Sequence, residues 1–202
     1  LPSFKDLKVW IIDGTRLTLQ DTPANLKVFG RRKASRGRAA FCEIGMVCLV
    51  DATRHLIRDA VFGLWKLSES KAAHRLIRHL ASGDLVILDR LFHSLRLYKE
   101  IREREAHFLC RVSSKPTLKP IRGTRQGHQY DAWMCRRIPC RKGEGRSWGC
   151  SSRVVRLRVR VIDYRLKGYG RIRLVTSLMD RVAYPAEEIA LLYHARWEIE
   201  IA

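Results

Sequence analysis

Three acidic residues far apart in the chain, Asp13, Asp89 and Glu200, have the type and setting for divalent-metal chemistry. Asp13 follows the apolar run VWII at 9–12, and Asp89 follows LVIL at 85–88. Short apolar runs of this kind read as buried strands. Side chains at the carboxyl ends of parallel strands line a crevice. If the two strands are neighbours, their carboxylates converge although 76 residues separate them. Carboxylates with no accompanying His or Cys cluster suit Mg2+ or Mn2+, which prefer hard oxygen ligands. Two such ions about 4 Å apart can activate a nucleophile and stabilise the leaving oxygen at a phosphodiester. Taken singly, an acid after a strand is ordinary turn chemistry. Asp51 is read in that way.

The third acid belongs to a helix that opens at Pro185. Proline is tolerated in a first turn, and Glu187 and Glu188 favour its positive end. Tyr193, Arg196 and Glu200 are spaced three and four apart and share one face, beside the apolar Leu192, Ala195 and Ile199. Trp197, Ile199 and Ile201 around Glu200 imply partial burial, and a half-buried acid requires a compensating charge or a metal.

The elements that must position these residues follow from pattern. Residues 22–41, with Pro, two Gly and the basic cluster Arg31, Arg32, Lys33, Arg36 and Arg38, read as an exposed loop. Residues 43–50 and 55–62 read as an antiparallel hairpin turning at Asp51–Arg54. Ser68 caps a helix running through Leu80, stopped by Gly83. A second helix spans 94–105 and a strand 107–112. Over 113–180 the helical period disappears and the segment reads as a β-rich insertion. Within it, Val155, Leu157, Val159 and Val161 alternate with Arg156, Arg158 and Arg160, which describes a half-buried strand with a basic outer face. A further strand spans 171–178. No internal repeat is visible.

Composition narrows the partner. Lys and Arg total 40 against 20 acids among 202 residues, a formal net charge of +20 and a pI near 10.4. Such an excess implies a polyanion, most commonly nucleic acid, and the clusters at 31–38 and 156–160 are its candidate surfaces. No stretch is long and apolar enough to span a membrane, and no signal peptide opens the sequence. The six cysteines read as free thiols of a reducing cytoplasm, with Cys42, Cys48 and Cys110 as small core residues. His128, Cys135, Cys140 and Cys150 lack paired zinc-knuckle spacing. His93 forms no triad with a Ser or Cys. Trp133 and Trp148 lie in the Arg-rich segment, where an aromatic can stack on an extruded base, but both read as ordinary packing residues.

The ordered set of motifs resembles one family. YHARWEIE at 193–200 is similar to the Tyr-x2-Arg-x3-Glu signature of bacterial insertion-sequence DDE transposases. IIDGT at 11–15 and VILDRLFHS at 86–94 resemble that family's first and second acidic regions. The resemblance implies an α/β, ribonuclease-H-like mixed sheet flanked by helices, with a β-rich insertion before the last helix. It divides the chain into a core over 1–112, an insertion over 113–180 and a completing helix over 181–202. It implies two Mg2+ (or Mn2+) ions held by Asp13, Asp89 and Glu200, with Tyr193, Arg196 and Arg90 at DNA phosphates. It further implies nicking at insertion-sequence ends, strand transfer into target DNA, a homodimer in the full-length synaptic complex, and a bacterial, nucleoid-associated location. The family signature continues to a Lys about two turns beyond the Glu, whereas this sequence stops at Ala202. Flanking end-binding and multimerisation regions are expected outside it. Two rival readings are a two-metal nuclease of the same fold and an inactive DNA-binding remnant.

Overall fold

The computed structural model describes residues 4–34, 37–113, 118–139, 152–165 and 170–196. In chain order the elements are β1 (Lys8–Thr18), α1 (Pro23–Phe29), β2 (Lys33–Ala34), β3 (Gly37–Arg38), β4 (Glu43–Asp51) and β5 (Leu56–Leu64). They continue with α2 (Glu69–Leu76), β6 (Asp84–Leu88), α3 (Leu95–Arg102), β7 (His107–Val112) and β8 (Leu118–Pro120). The last are β9 (Gln129–Pro139), β10 (Ser152–Arg165), β11 (Arg171–Thr176) and α4 (Ala186–Ala195). Nine strands form one mixed sheet in the order β5-β4-β1-β6-β7-β11-β10-β9-β8, and β2 and β3 make a separate small hairpin. β1 is central: it runs antiparallel to β4 and parallel to β6, and β6 is parallel to β7. β11 then pairs antiparallel with β7, so the strands after residue 113 extend this sheet along its open edge.

Alternation along the strands divides the core between two faces. Trp10, Ile12, Val86, Leu88 and Phe108 face α2 and α3, together with Leu76, Tyr98 and Ile101 of those helices. Val9, Ile11, Leu85, Ile87, Leu109 and Leu174 face α4, against its Ile189, Leu192 and Tyr193. On the first face the rings of Tyr98 and Phe108 stack at 4.1 Å, a geometry worth about 0.5–1.5 kcal/mol beyond their burial.

Local signals act largely as the sequence implies. Ser68 Oγ accepts from the Lys71 amide at the start of α2, and Ser94 Oγ from the Leu97 amide at the start of α3. The Asp51 carboxylate accepts from the Thr53 and Arg54 amides and closes the β4–β5 turn. Gly45 and Gly63 face each other across that hairpin, and a Cβ on either would meet Leu67 within 3 Å, so Leu67 uses the space they leave.

Three expectations need correction. The helix capped by Ser68 ends at Leu76 and gives way to a 3-10 turn over Ile77–His79, with Gly83 beyond both. Residues 22–41 are not one loop: Thr22 accepts from the Asn25 amide, Pro23 opens α1, and Gly30 closes it at a φ of 65°. Nor does β1 end at Asp13. It continues for five residues because β4 supplies a partner for each, from Gly14↔Val47 to Thr18↔Glu43.

Burial lowers the pKa of His107, assisted by the neighbouring Arg102 cation. The fold therefore favours its neutral form. That contribution is complete above the unfolded value of about 6.5 and is lost as pH falls from there toward the lower folded value. Chemical denaturation from pH 8 to 5 should show wild type losing stability relative to His107→Gln on acidification. A difference that is constant with pH, or grows in wild type's favour, contradicts the account.

Candidate active site

The pairs joining β1 to β6, from Lys8↔Asp84 to Ile12↔Leu88, are each offset by 76 positions. The next residues along, Asp13 and Asp89, have the same offset and stand side by side where β6 ends. Alternation carries both to one face, since Asp13 follows Val9 and Ile11 and Asp89 follows Leu85 and Ile87. That is the face covered by α4. The apolar side of α4 packs on the sheet, and its last turn brings two polar side chains onto the acids. Arg196 Nη1 donates to Asp13 Oδ2 at 3.1 Å, and the Tyr193 hydroxyl donates to Asp89 Oδ1 at a long 3.4 Å. The Arg196 guanidinium also lies 5.8 Å from the centre of the Tyr193 ring. Both residues are buried, Tyr193 at 2% and Arg196 at 3% exposure.

The backbone fixes each acid. Asp13 Oδ1 accepts from the Gly14 amide at 2.8 Å. The Asp89 carbonyl accepts from the Phe92 amide at 3.0 Å, closing the 3-10 turn Arg90–Phe92, and from Cys110 Sγ at 3.4 Å. Adjacent carboxylates repel, and partial burial strengthens that repulsion by lowering the local dielectric. Arg196 offsets part of it. Burial pushes the Tyr193 phenol well above its ordinary range, so it remains a donor. Cys48, the cross-strand partner of Asp13, has its thiol pushed up first by burial and then by the Asp13 charge. Burial thus favours its neutral thiol, a soft donor poorly matched to Mg2+ or Mn2+. What remains at the site is hard carboxylate oxygen, with the Asp13 side chain 35% exposed and within reach of an ion. This donor set fits Mg2+ or Mn2+.

A residue that sequence reasoning passed over lies in the same row. Leu88 pairs with Cys110, so Asp89 is followed on the next parallel strand by Arg111. Leu109 beneath it faces α4, and the Arg111 charge acts on Tyr164, Tyr193 and His194. The row therefore reads Asp13, Asp89, Arg111. A signal was available: HFLCRV has a charged residue at the same end of its strand as the two acids.

The other expected residues are placed as follows. Arg90 is exposed beside Asp89. Arg31 is bonded to Asp21, Arg32 lies 3.3 Å from Glu43, and Arg38 is exposed. The Lys33 side chain, Arg36 and Glu200 lie outside the described residues. Arg156 and Arg158 are exposed, and Arg158 bonds Asp131 at 2.6 Å. Arg160 is a correction. It is fully buried, because the segment leading into α4 covers the sheet at that point, and it presents no surface to a partner. Lys119, Trp133, Cys135 and Arg156 line a cleft of about 580 Å³, and Trp133 is 40% exposed there. Trp148, Cys140 and Cys150 lie outside the described residues. Among those described, no three His, Cys, Asp or Glu side chains are grouped for a metal. No helix among them is long and apolar enough to cross a membrane.

An α/β fold of ribonuclease-H-like strand order, with two acids side by side where β6 ends, one within β1 and one just after β6, sets the class of domain. The chain belongs to the transposase DDE domain family, whose model matches residues 5–202. It is 26% identical over 203 residues to the transposase InsG for insertion sequence element IS4 of Escherichia coli (strain K12), covering 99% of this chain and 44% of that protein. Its fold is similar to the piggyBac transposase solved by cryo-EM as a synaptic complex with hairpin DNA. That match has a TM-score of 0.57 at 12% identity, over 93% of this chain and 37% of that one. The chain thus spans less than half the length of either relative.

Tyr193 makes a long hydroxyl bond but packs a whole ring into the core. Tyr193→Phe should therefore change the urea-unfolding free energy by no more than about 1.5 kcal/mol. Tyr193→Ala should cost about 3–5 kcal/mol. Equal losses in the two variants would show that the hydroxyl, not the ring, holds α4 in place.

Proposed function

We propose that the chain is the catalytic domain of an insertion-sequence transposase that cuts DNA at the element's ends and joins the freed 3′-OH to target DNA. The observation carrying this reading is the adjacency of Asp13 and Asp89 on the sheet face where α4 presents Tyr193 and Arg196. Asp13 and Asp89, completed by Glu200, would hold two Mg2+ or Mn2+ ions. Bound there, the ions supply a Lewis acid for the scissile phosphodiester and a nucleophile at neutral pH. Around them the chain's own side chains orient the strand. Arg196 and Tyr193 hold the carboxylates while DNA is absent and donate to phosphate oxygens once it enters. Arg111 and Arg90, on either side of Asp89, receive the flanking phosphates as cationic donors.

The wider charge distribution supports a DNA partner. The formal net charge of +20 favours a polyanion. Arg156, with Lys119 and Trp133 in the cleft on β8–β10, supplies cations around an exposed aromatic, a pairing suited to backbone and base together. Arg38 and Arg158 add exposed cations. A homodimer holding both element ends, in a nucleoid-associated bacterial protein, completes the reading.

Asp13→Asn, Asp89→Asn and Glu200→Ala should each leave folding and DNA binding intact while reducing nicking of labelled element ends to the level seen without divalent metal. Arg111→Ala should lower turnover by about 100-fold, the scale of losing one electrostatic donor to a transition state. Undiminished nicking in the acid variants contradicts the assignment. Nicking by wild type without joining of the 3′ end would make the chain a nuclease of the same fold.

A further inference from the structure

Arg160 sits in the middle of β10 with none of its surface exposed. A buried guanidinium loses several kcal/mol of hydration, so the fold must answer it with acceptors of suitable geometry. Its Nε donates to Gln129 Oε1 at 2.8 Å. Its Nη1 lies among three backbone carbonyls, those of Leu178 at 3.2 Å, Asp180 at 3.4 Å and Tyr184 at 2.7 Å. All three belong to the connection between β11 and α4, and Tyr184 is two residues before the helix begins. Burial lowers the Arg160 pKa to about 10, which leaves it charged at neutral pH.

A second tie reinforces the first. Arg181, in the same connection, donates through Nη2 to the Thr124 carbonyl at 2.8 Å and to Asp131 Oδ1 at 2.9 Å. Asp131 is held from the other side by Arg158, and Asp131 and Arg160 are register partners on β9 and β10. The strands after residue 113 thus grip the base of α4. The far end of α4 carries the side chains that reach Asp13 and Asp89.

We propose that Arg160 is a positioning residue for the acidic site, fixing through the 178–184 carbonyls where α4 starts and so where Tyr193 and Arg196 arrive. The apolar contacts of Ile189 and Leu192 hold the helix on the sheet but are not directional. Hydrogen bonds to three carbonyls are directional and set its tilt. Arg196 lies ten residues beyond Ala186, about 15 Å along the axis, so a tilt of about 4° moves it by about 1 Å. Misplacement on that scale can cost about 100-fold in rate. The catalytic part of the inference rests on the proposed cleavage function; the positioning of the helix does not.

The test uses Arg160→Gln and Arg160→Lys in the full chain, with two readouts. Hydrogen exchange should show residues 186–196 losing protection in Arg160→Gln while the β1 and β6 amides keep theirs, a local opening rather than global unfolding. Nicking of element-end DNA should lose about 100-fold in kcat with KM nearly unchanged, and Arg160→Lys should recover part of both effects. If Arg160→Gln does not fold, Arg181→Ala, which removes the outer tie, is expected to fold and to show the same local loss in smaller measure. Unchanged protection of 186–196, or protection lost equally in α4 and in β1 and β6, overturns the positioning role. Loss of protection confined to α4, in a chain whose wild type does not nick DNA, would uphold the positioning and reject the cleavage reading.

Discussion

The parallel pairing of β1 with β6 is the constraint on which the rest of the site depends. Side chains alternate along a strand, so a slip of one residue would turn Asp89 away from Asp13 and toward α2 and α3. The register is protected from both sides. Val9 and Ile11 with Leu85 and Ile87 fill the α4 face, while Trp10 and Ile12 with Val86 and Leu88 fill the other. Any slip would put both apolar sets out of place at once. Two like charges are therefore brought together by hydrophobic packing that neither charge takes part in.

The helix completes what the register begins. Tyr193 belongs to the core by its ring and to the site by its hydroxyl, and Arg196 sets a cation against Asp13. α4 is in turn set by the strands that extend the sheet beyond β7. Those strands form part of the same structural unit as the acids: β11 pairs directly with β7, and Arg160 and Arg181 reach from or to them to hold the start of α4. This couples the most basic stretch of the chain to the acidic pair through backbone carbonyls and a short helix.

Much of this was legible in the sequence, for identifiable reasons. VWII and LVIL announce buried strands because each is apolar on both faces, and the acid at the end of each marks the same sheet level. Ser68, Ser94 and Pro185 mark helix starts through local chemistry that tertiary packing does not override. Three features were harder to read. Arg160 shares a strict alternation with Arg156 and Arg158, and nothing local reveals that a segment about twenty residues later covers it. Arg111 carries a sequence signal, a charge near the end of the apolar run HFLCRV, but the strand register is needed to place it beside Asp89. The short α1 carries both a Thr-Pro start and a Gly stop, but the surrounding basic residues give its seven-residue span the look of a loop.

On the proposed function, Asp13 and Asp89 together form one divalent-metal site. The most direct test replaces the native ion with Fe2+ and maps where ascorbate and peroxide cut the polypeptide, since hydroxyl radicals released at a bound iron cleave the nearest backbone. The account predicts cuts around residues 13 and 89 in the same molecule, both suppressed by excess Mg2+ and both lost in Asp89→Asn. Cuts at only one of the two segments, or cuts elsewhere that Mg2+ does not suppress, would contradict it.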